Sequence, residues 1–501
     1  MGNYTFKLTF EQYSVILVCM AFFFTFLRLH EVKVTEKRVF HIAGFIVVAL
    51  GCGLFTNQII LSDFMEEHQI NIRMFRPMES YQKYGGVLTF ARSVGYAVVK
   101  KPEGYTTAKV DQIIQEYEKK SANEQQSTVK QYPNIITVVN ETFADIKVLG
   151  DFKTNEDYMP YFHSLKKNCV TGYTYASIVG GQTANTEFEL LTGNTLGFLS
   201  AGTTAFQLYI HGQMPSLVSN LKAEGYSGNK AMHPFNPYNY NRPAVYKDFG
   251  FTDFIDKFDF PKNVKRVREY ISDEANVDRI ISEYEKNRKK TDQPFYMYNM
   301  TIQNHSPYDK DAANFKQPIK IESSKYDAEA NRYLNLIKYS DDSLKQLTSY
   351  FEKCKEPTII LFLGDHQPRL TDEFMNKITN GQYQTWSSEQ MMKRYQVPFV
   401  IWANYDIKEQ HIEKTSMNYI QSILTKTAGV KMTGYQRFLN EVRKEVPTIT
   451  SQGYWGKNGK FYQINDKGSP YYGIIQKYRM IQYNMMFDKK NRRDSFFEVS
   501  K

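Results

Sequence analysis

Hydrophobic positions fall along the chain in two regimes. Near the start they run almost unbroken, as YSVILVCMAFFFTFL over residues 13–27 and VFHIAGFIVVALGCGLFTNQIIL over 39–61. The second run is long enough for the roughly 20 residues that a bilayer core requires, and the first is shorter, with Phe10 extending it. Between them lies RLHEVKVTEKR, which carries Arg28, Lys33, Lys37 and Arg38. The positive-inside rule makes this connection cytoplasmic and places everything after residue 62 outside the cell. Two transmembrane helices are therefore expected, with Met1 outside as well. A cleaved signal peptide fits less well, because no basic segment precedes the first run.

The second regime is mixed. Residues 63–130 are polar, and in DQIIQEYEKKSANEQQSTVK the positions Val110, Ile113, Ile114 and Tyr117 follow helical spacing ahead of a Ser/Gln-rich tail. This segment reads as juxtamembrane helices and a linker. From Tyr132 short apolar, β-branched runs recur: PNIITVVN (133–140), QPFYMYNMTI (293–302), PTIILFLG (357–364) and VPFVIWAN (397–404). Runs apolar on both faces suit strands buried between helix layers. Amphipathic stretches such as YDAEANRYLNLIKYSDDSLKQLTSYFEK separate them. The expected fold is α/β, a central mostly parallel sheet flanked by helices and preceded by transmembrane helices. The expected division is a membrane region over 1–62, a helical linker over 63–130, an outer catalytic domain over 131–445, and a C-terminal extension over 446–501 packing on it.

Charge changes this picture little. Of 501 residues, 63 are Lys or Arg and 53 Asp or Glu, a formal net charge of +10. The cations are dispersed, with no basic arm of the kind that binds nucleic acid, and such a surface tolerates an anionic membrane. The 37 Tyr and 35 Phe suit carbohydrate or headgroup contacts as well as a core. Cys19 and Cys52 lie in the apolar runs, Cys169 and Cys354 in the polar body, and no CxxC pair exists. That excludes a zinc ribbon or a thioredoxin-like motif and leaves a Cys169–Cys354 disulfide open.

In open parallel sheets, sites form beyond the carboxyl ends of the strands. Those ends carry Glu141 after IITVVN, His305 after MYNMTIQN, and Asp365-His366 after IILFLG. An Asp-His step directly after a buried strand, with a second carboxylate at another strand end, supplies ligands for Zn²⁺ or Mn²⁺. The segment GGQTANTEFELLTGN adds Thr183, Thr186 and Thr192 behind Gly180 and Gly181. A helix is expected to start between Thr183 and Thr186, with Asn185 or Thr186 as its cap. Thr183 itself reads either as part of that helix start or as a nucleophile, since a hydroxyl becomes one when a cation or base activates it.

PNIITVVNETF, GGQTANTEFELLTGN, NYNRPAVYKDFGF, TIQNHSPY and FLGDHQP occur in that order over residues 130–440. Together they resemble the lipoteichoic acid synthase family of the sulfatase and alkaline phosphatase superfamily. The resemblance implies a membrane-anchored phosphoglycerol transferase with its catalytic domain outside a bacterial cell. It implies one Mn²⁺, with Mg²⁺ or Zn²⁺ as alternatives, held by Glu141, Thr183, Asp365 and His366. Thr183 would take glycerol phosphate from phosphatidylglycerol and pass it to an acceptor hydroxyl on a glycolipid or polysaccharide. His305 would serve the phosphoryl and leaving groups, and Arg242, Tyr240 and His233 would bind the headgroup.

Two positions depart from the family. Tyr240 stands where a Trp is common, and Phe235 stands where an acidic residue is common. Both line the headgroup pocket of the family, so the donor or the acceptor could differ. The family has about five spans, and the two here would correspond to the last of them. Gly95 and Ala97 in SVGYAVVKK have the sizes of a signal-peptidase site that would release the outer domain. A formylglycine sulfatase is disfavoured, because no C/S-x-P-x-R occurs. The rival readings are single-unit transfer of glycerol phosphate or phosphoethanolamine to a surface polysaccharide or lipid, and a silent lipid- or glycan-binding domain.

Overall fold

The structure is a computed structural model that describes residues 38–61, 72, 77–97, 99–121, 129, 131–322, 327–381 and 383–499. The first apolar run and its basic connection lie outside the described residues. The chain divides into two compact units, residues 1–98 and 99–501.

In the first unit, α1 (Arg38–Phe55) is followed by a π-helical turn, Thr56–Leu61. Among the described residues no helix is long and apolar enough to cross a membrane. The span read over 39–61 is thus not found as a single crossing helix, because regular α-helix stops at Phe55. Along α1 the side chains of Ile46, Val47, Leu50, Leu54 and Phe55 are exposed. Helices α2 (Pro77–Tyr84) and α3 (Gly86–Ala97) pack on each other. Val87, Phe90 and Val94 form an exposed apolar stripe at helical spacing on α3, while Thr89, Arg92 and Tyr96 of the same helix are buried. Gly95 and Ala97 lie within α3 rather than in extended chain.

The second unit is built on eight strands: β1 (Asn134–Asn140), β2 (Cys169–Tyr175), β3 (Ser227–Met232), β4 (Asp253–Ile255), β7 (Phe295–Met300), β8 (Thr358–Gly364), β9 (Gln396–Ala403) and β10 (Gln410–Ser416), with a small hairpin, β5 (Arg266–Val267) and β6 (Tyr270–Ile271), between β4 and β7. Their order is β10-β2-β9-β8-β1-β7-β3-β4. β9 pairs antiparallel with both β2 and β8, and every other neighbouring pair is parallel. The sheet is therefore mostly parallel and flanked by helices. Alternate residues of a strand face opposite layers. Ile136, Val138, Phe295, Met297, Ile360 and Phe362 share one core with α7 (Asp273–Arg288) and α8 (Ala328–Phe351). Tyr298 points the other way and bonds to Glu187 of α5 (Thr183–Thr192), which α9 (Met417–Thr427) covers.

The four runs read as buried strands form β1, β7, β8 and β9. Helix α4 (Thr107–Ser121), from the segment read as a linker, belongs to the second unit, where it packs on α10 (Gly434–Glu445) and α11 (Tyr472–Met486). In the C-terminal segment a three-stranded sheet, Thr448–Thr450, Gly453–Trp455 and Phe461–Tyr462, brings the Trp455 ring 5.1 Å from that of Tyr175. Cys169 and Cys354 are free thiols.

One glycine fixes how the central strands end. A Cβ on Gly364, the last residue of β8, would lie 1.8 Å from the Phe143 carbonyl oxygen. Gly364→Ala is expected to shift backbone in the β1–β8 corner and to lower the urea midpoint by the equivalent of about 2–4 kcal/mol, the range of severe core strain. An unchanged midpoint would show that the corner yields freely.

Candidate active site

β1 and β8 are adjacent and parallel, with Asn140 opposite Gly364, so the residues that follow them emerge side by side. Glu141 leaves β1 with its N–H donating to Thr301 Oγ1 at 3.0 Å. Thr142 follows at φ 54°, a left-handed conformation that a threonine rarely adopts. Its N–H donates to Asp365 Oδ1 at 2.6 Å, and the N–H of His366 donates to the same oxygen at 2.8 Å. Asp365 Oδ1 is thereby committed to backbone, whereas Oδ2 is buried without a hydrogen-bond partner.

His366 is fixed in the same manner. Its Nδ1 lies 3.0 Å from the Gln367 carbonyl, which makes Nδ1 the protonated nitrogen and leaves Nε2 as a lone pair. Nε2 is buried, lacks a hydrogen bond, and sits 3.3 Å from Asp365 Oδ2 and 3.8 Å from Glu141 Oε1. Ligand atoms of Glu141, Asp365 and His366 all lie within 4.8 Å of one another. Two buried carboxylates and an imidazole lone pair facing each other are unfavourable unless a cation lies among them. Burial, and then the neighbouring Asp365, push the Glu141 carboxyl up to about 8. The donor set of two oxygens and one nitrogen fits Mn²⁺, Mg²⁺ or Zn²⁺.

Thr183 reaches the same point from the opposite layer. Gly180 and Gly181 have φ 67° and 140°, and Gln182 is left-handed at 69°, so the chain turns sharply before α5 begins at Thr183. The helix cap differs from the sequence expectation. Gln182 occupies the cap position without a side-chain bond, and Thr186 instead donates to the Asp365 carbonyl at 2.8 Å. That bond ties the first turn of α5 to the end of β8. Thr183 Oγ1 lies 3.4 Å from Glu141 Oε2, at a helix start whose free N–H groups favour an anion.

His305 and His233 continue the row along the ends of β7 and β3. His305 Nδ1 lies 2.7 Å from the Ser306 carbonyl, its ring stacks on Phe235 at 6.3 Å, and burial lowers its pKa. His233 is fully buried with Nδ1 2.9 Å from the Met300 carbonyl, and burial followed by the Arg242 charge hold it well below the ordinary histidine range. Tyr240 is left-handed at φ 59°, with its ring 5.1 Å from the Arg242 guanidinium carbon.

Arg242, the first residue of α6 (Arg242–Phe249) and expected only as a headgroup ligand, has a partner on the chain itself that no local motif announces. Its Nε and Nη2 donate to Glu187 Oε1 at 3.0 and 2.7 Å. Glu187 Oε2 accepts from Tyr246 and, at 3.1 Å, from Tyr298. Glu187 stands one turn after Thr183 on α5, so this buried cluster holds the helix that presents the hydroxyl.

The match to the sulfatase family covers residues 133–430. A putative cyclic beta-1,2-glucan modification protein of Rhizobium meliloti is 30% identical over 433 residues, 85% of this chain and 65% of that protein. The lipoteichoic acid synthase-like protein YvgJ of Bacillus subtilis is 27% identical over 237 residues, 46% of this chain and 36% of that protein. The chain thus spans less than two thirds of the length of these curated relatives. Among solved structures, the Streptococcus pyogenes phosphoglycerol transferase GacH, in complex with sn-glycerol-1-phosphate, has a similar fold. It superposes with a TM-score of 0.65 at 20% identity, over 80% of this chain and 100% of that one.

Proposed function

The chain belongs to the sulfatase family and is lipoteichoic acid synthase-like, and on that premise we propose that it is a membrane-anchored phosphoglycerol transferase working through Thr183. The observation that carries the proposal is the convergence of the Thr183 hydroxyl with Glu141, Asp365 and His366. Asp365 Oδ2 and His366 Nε2, unpartnered and aimed at Glu141, support a divalent cation there, manganese first and magnesium or zinc as alternatives. When bound, the cation supplies positive charge that lowers the hydroxyl pKa and offsets charge on the phosphoryl oxygens.

The chain's own groups account for the proton movements. Thr183 passes its proton toward Glu141 Oε2 as its oxygen bonds to the phosphorus of phosphatidylglycerol. The bond from phosphorus to the diacylglycerol oxygen breaks in line, and that oxygen takes the Nε2 proton of His305, which carries it as an imidazolium while the anionic phosphodiester is beside it, Nδ1–H staying on the Ser306 carbonyl. In the second half, the acceptor hydroxyl gives its proton to His305 and attacks phosphorus. Thr183 then leaves and recovers its proton. Arg242 and Tyr240, with neutral His233, form the side on which the headgroup is held. A covalent intermediate divides one difficult transfer into two displacements.

Membrane attachment, with the catalytic unit outside a bacterial cell, is part of the proposal. It is supported by the apolar runs over 13–27 and 39–61 and by the exposed apolar side chains of α1 and α3. A second reading, single-unit transfer onto a surface polysaccharide, is favoured by Phe235 in the headgroup pocket and by the glucan-modifying description of the Rhizobium meliloti relative. The test uses the full chain in detergent with fluorescent phosphatidylglycerol. Diacylglycerol release is expected to fall to below about 5% after EDTA and to return with Mn²⁺, as for other metal-assisted transfers. Full release in EDTA would overturn the metal-assisted reading, and cleavage of phosphatidylethanolamine in its place would reassign the donor.

A further inference from the structure

Beyond His305 the edge of the sheet opens into a cleft of about 510 Å³, within the range of about 300–1,000 Å³ typical of ligand sites. Phe235 and Tyr270 form its inner wall, and both rings pack against His305, at 6.3 and 5.8 Å. The Tyr270 hydroxyl lies 3.4 Å from His305 Nδ1. The outer wall is the turn at 257–262, on which the Phe258 ring is 74% exposed. Lys257 Nζ sits 5.0 Å from the Phe258 ring and 5.9 Å from that of Phe235.

The rim is cationic. Among the lining residues Lys257, Lys262 and Arg266 meet one carboxylate, Glu269, while the neighbouring Asp256 and Asp259 carboxylates accept from backbone N–H groups of the turn. Neither lysine makes an ion pair with a carboxylate among the described residues. A lipid chain would leave these cations without partners, and a bare polyol phosphate would leave the aromatic faces uncovered. A sugar chain bearing anionic groups answers both, since ring faces cover aromatic carbon and the anions meet the lysines.

We propose that this cleft is the acceptor entry site and that it holds an anionic glycan. Its sugar rings lie on Phe258 and Tyr270, its anionic groups meet Lys257 and Lys262, and its innermost hydroxyl points to His305. The proposal rests on the transferase reading for the identity of that hydroxyl, but the binding itself requires no turnover.

The test is therefore a titration of the full-length Thr183→Ala protein, by calorimetry, with a glucan hexasaccharide carrying phosphoglycerol groups and with the same hexasaccharide unsubstituted. The substituted form is expected to bind about tenfold more tightly at low salt, with the advantage shrinking as salt screens the charges. Phe258→Ala should weaken both ligands at least fivefold or so, whereas Lys262→Glu should weaken only the substituted one. Phe258 is exposed, so an unchanged melting temperature separates lost binding from lost fold. Indifference of both ligands to Phe258→Ala would overturn the proposal. So would sugar-free poly(glycerol phosphate) binding as tightly as the substituted glycan. Diacylglycerol release by the wild type reports on the transferase reading separately, and either result can stand without the other.

Discussion

Thr183→Ala is expected to lower diacylglycerol release from phosphatidylglycerol by roughly 10⁴-fold or more, the scale on which removing a nucleophile acts. The substitution removes one hydroxyl from a helix start that is otherwise held by backbone and by Thr186. Glu141, Asp365 and His366 are left in place, so the variant loaded with excess Mn²⁺ should still hold metal, although one of the four ligands is gone. That combination, lost turnover with retained metal, separates a nucleophile from a residue that only shapes the site. Thr183→Ser keeps a hydroxyl at the same position and should retain a measurable fraction of the rate. An alanine variant that keeps a tenth or so of wild-type release would remove Thr183 from the mechanism.

The second large effect concerns stability. Glu187 is fully buried and takes hydrogen bonds from Arg242, Tyr246 and Tyr298. Glu187→Ala leaves a buried guanidinium without its counter-charge, and breaking such a pair costs about 3–5 kcal/mol. Urea unfolding should show this as a lower midpoint with little change in slope. Arg242→Met in the same protein should recover part of the loss, because the orphaned charge goes with it. A single-variant loss below about 1 kcal/mol, or a double variant no better than Glu187→Ala, would mean that water or another group already serves Arg242.

The parts of the fold legible in the sequence are those buried on both faces. IITVVN, FYMYNM, TIILFLG and VPFVIWA lack polar alternation because helices cover both sides, whereas a strand with one wet face would show it. β3, SGNKAM, and β10, QHIEKTS, carry no such signal. β10 is an edge strand with an exposed face, and the register of β3 on β7 shifts between Gly228 and Lys230. The reversed direction of β9 is equally illegible, since composition records burial and not polarity along the sheet. At the site, the titratable residues after β1, β7 and β8 can be named because a strand end implies a place. Glu187 cannot be paired with Arg242 in this way, because 55 residues separate them and only the packing of α5 against β7 and the Arg242 helix joins them. The cap expected at Thr186 fails for the same reason, its partner being the end of a strand far along the chain.

The contact that closes the site joins Thr142 to Asp365 across 223 residues. Such a join cannot form until Asp365 has been made, because β8 and its Asp-His step come long after Glu141 and Thr183. Pairings this distant form late, once the intervening segments have settled. A chain stalled short of residue 366 would therefore carry its hydroxyl and first carboxylate with nothing to complete them. On the proposed function, the transfer chemistry would thus wait until β8 has been made and paired with β1, and a chain stopped before that point would be inert.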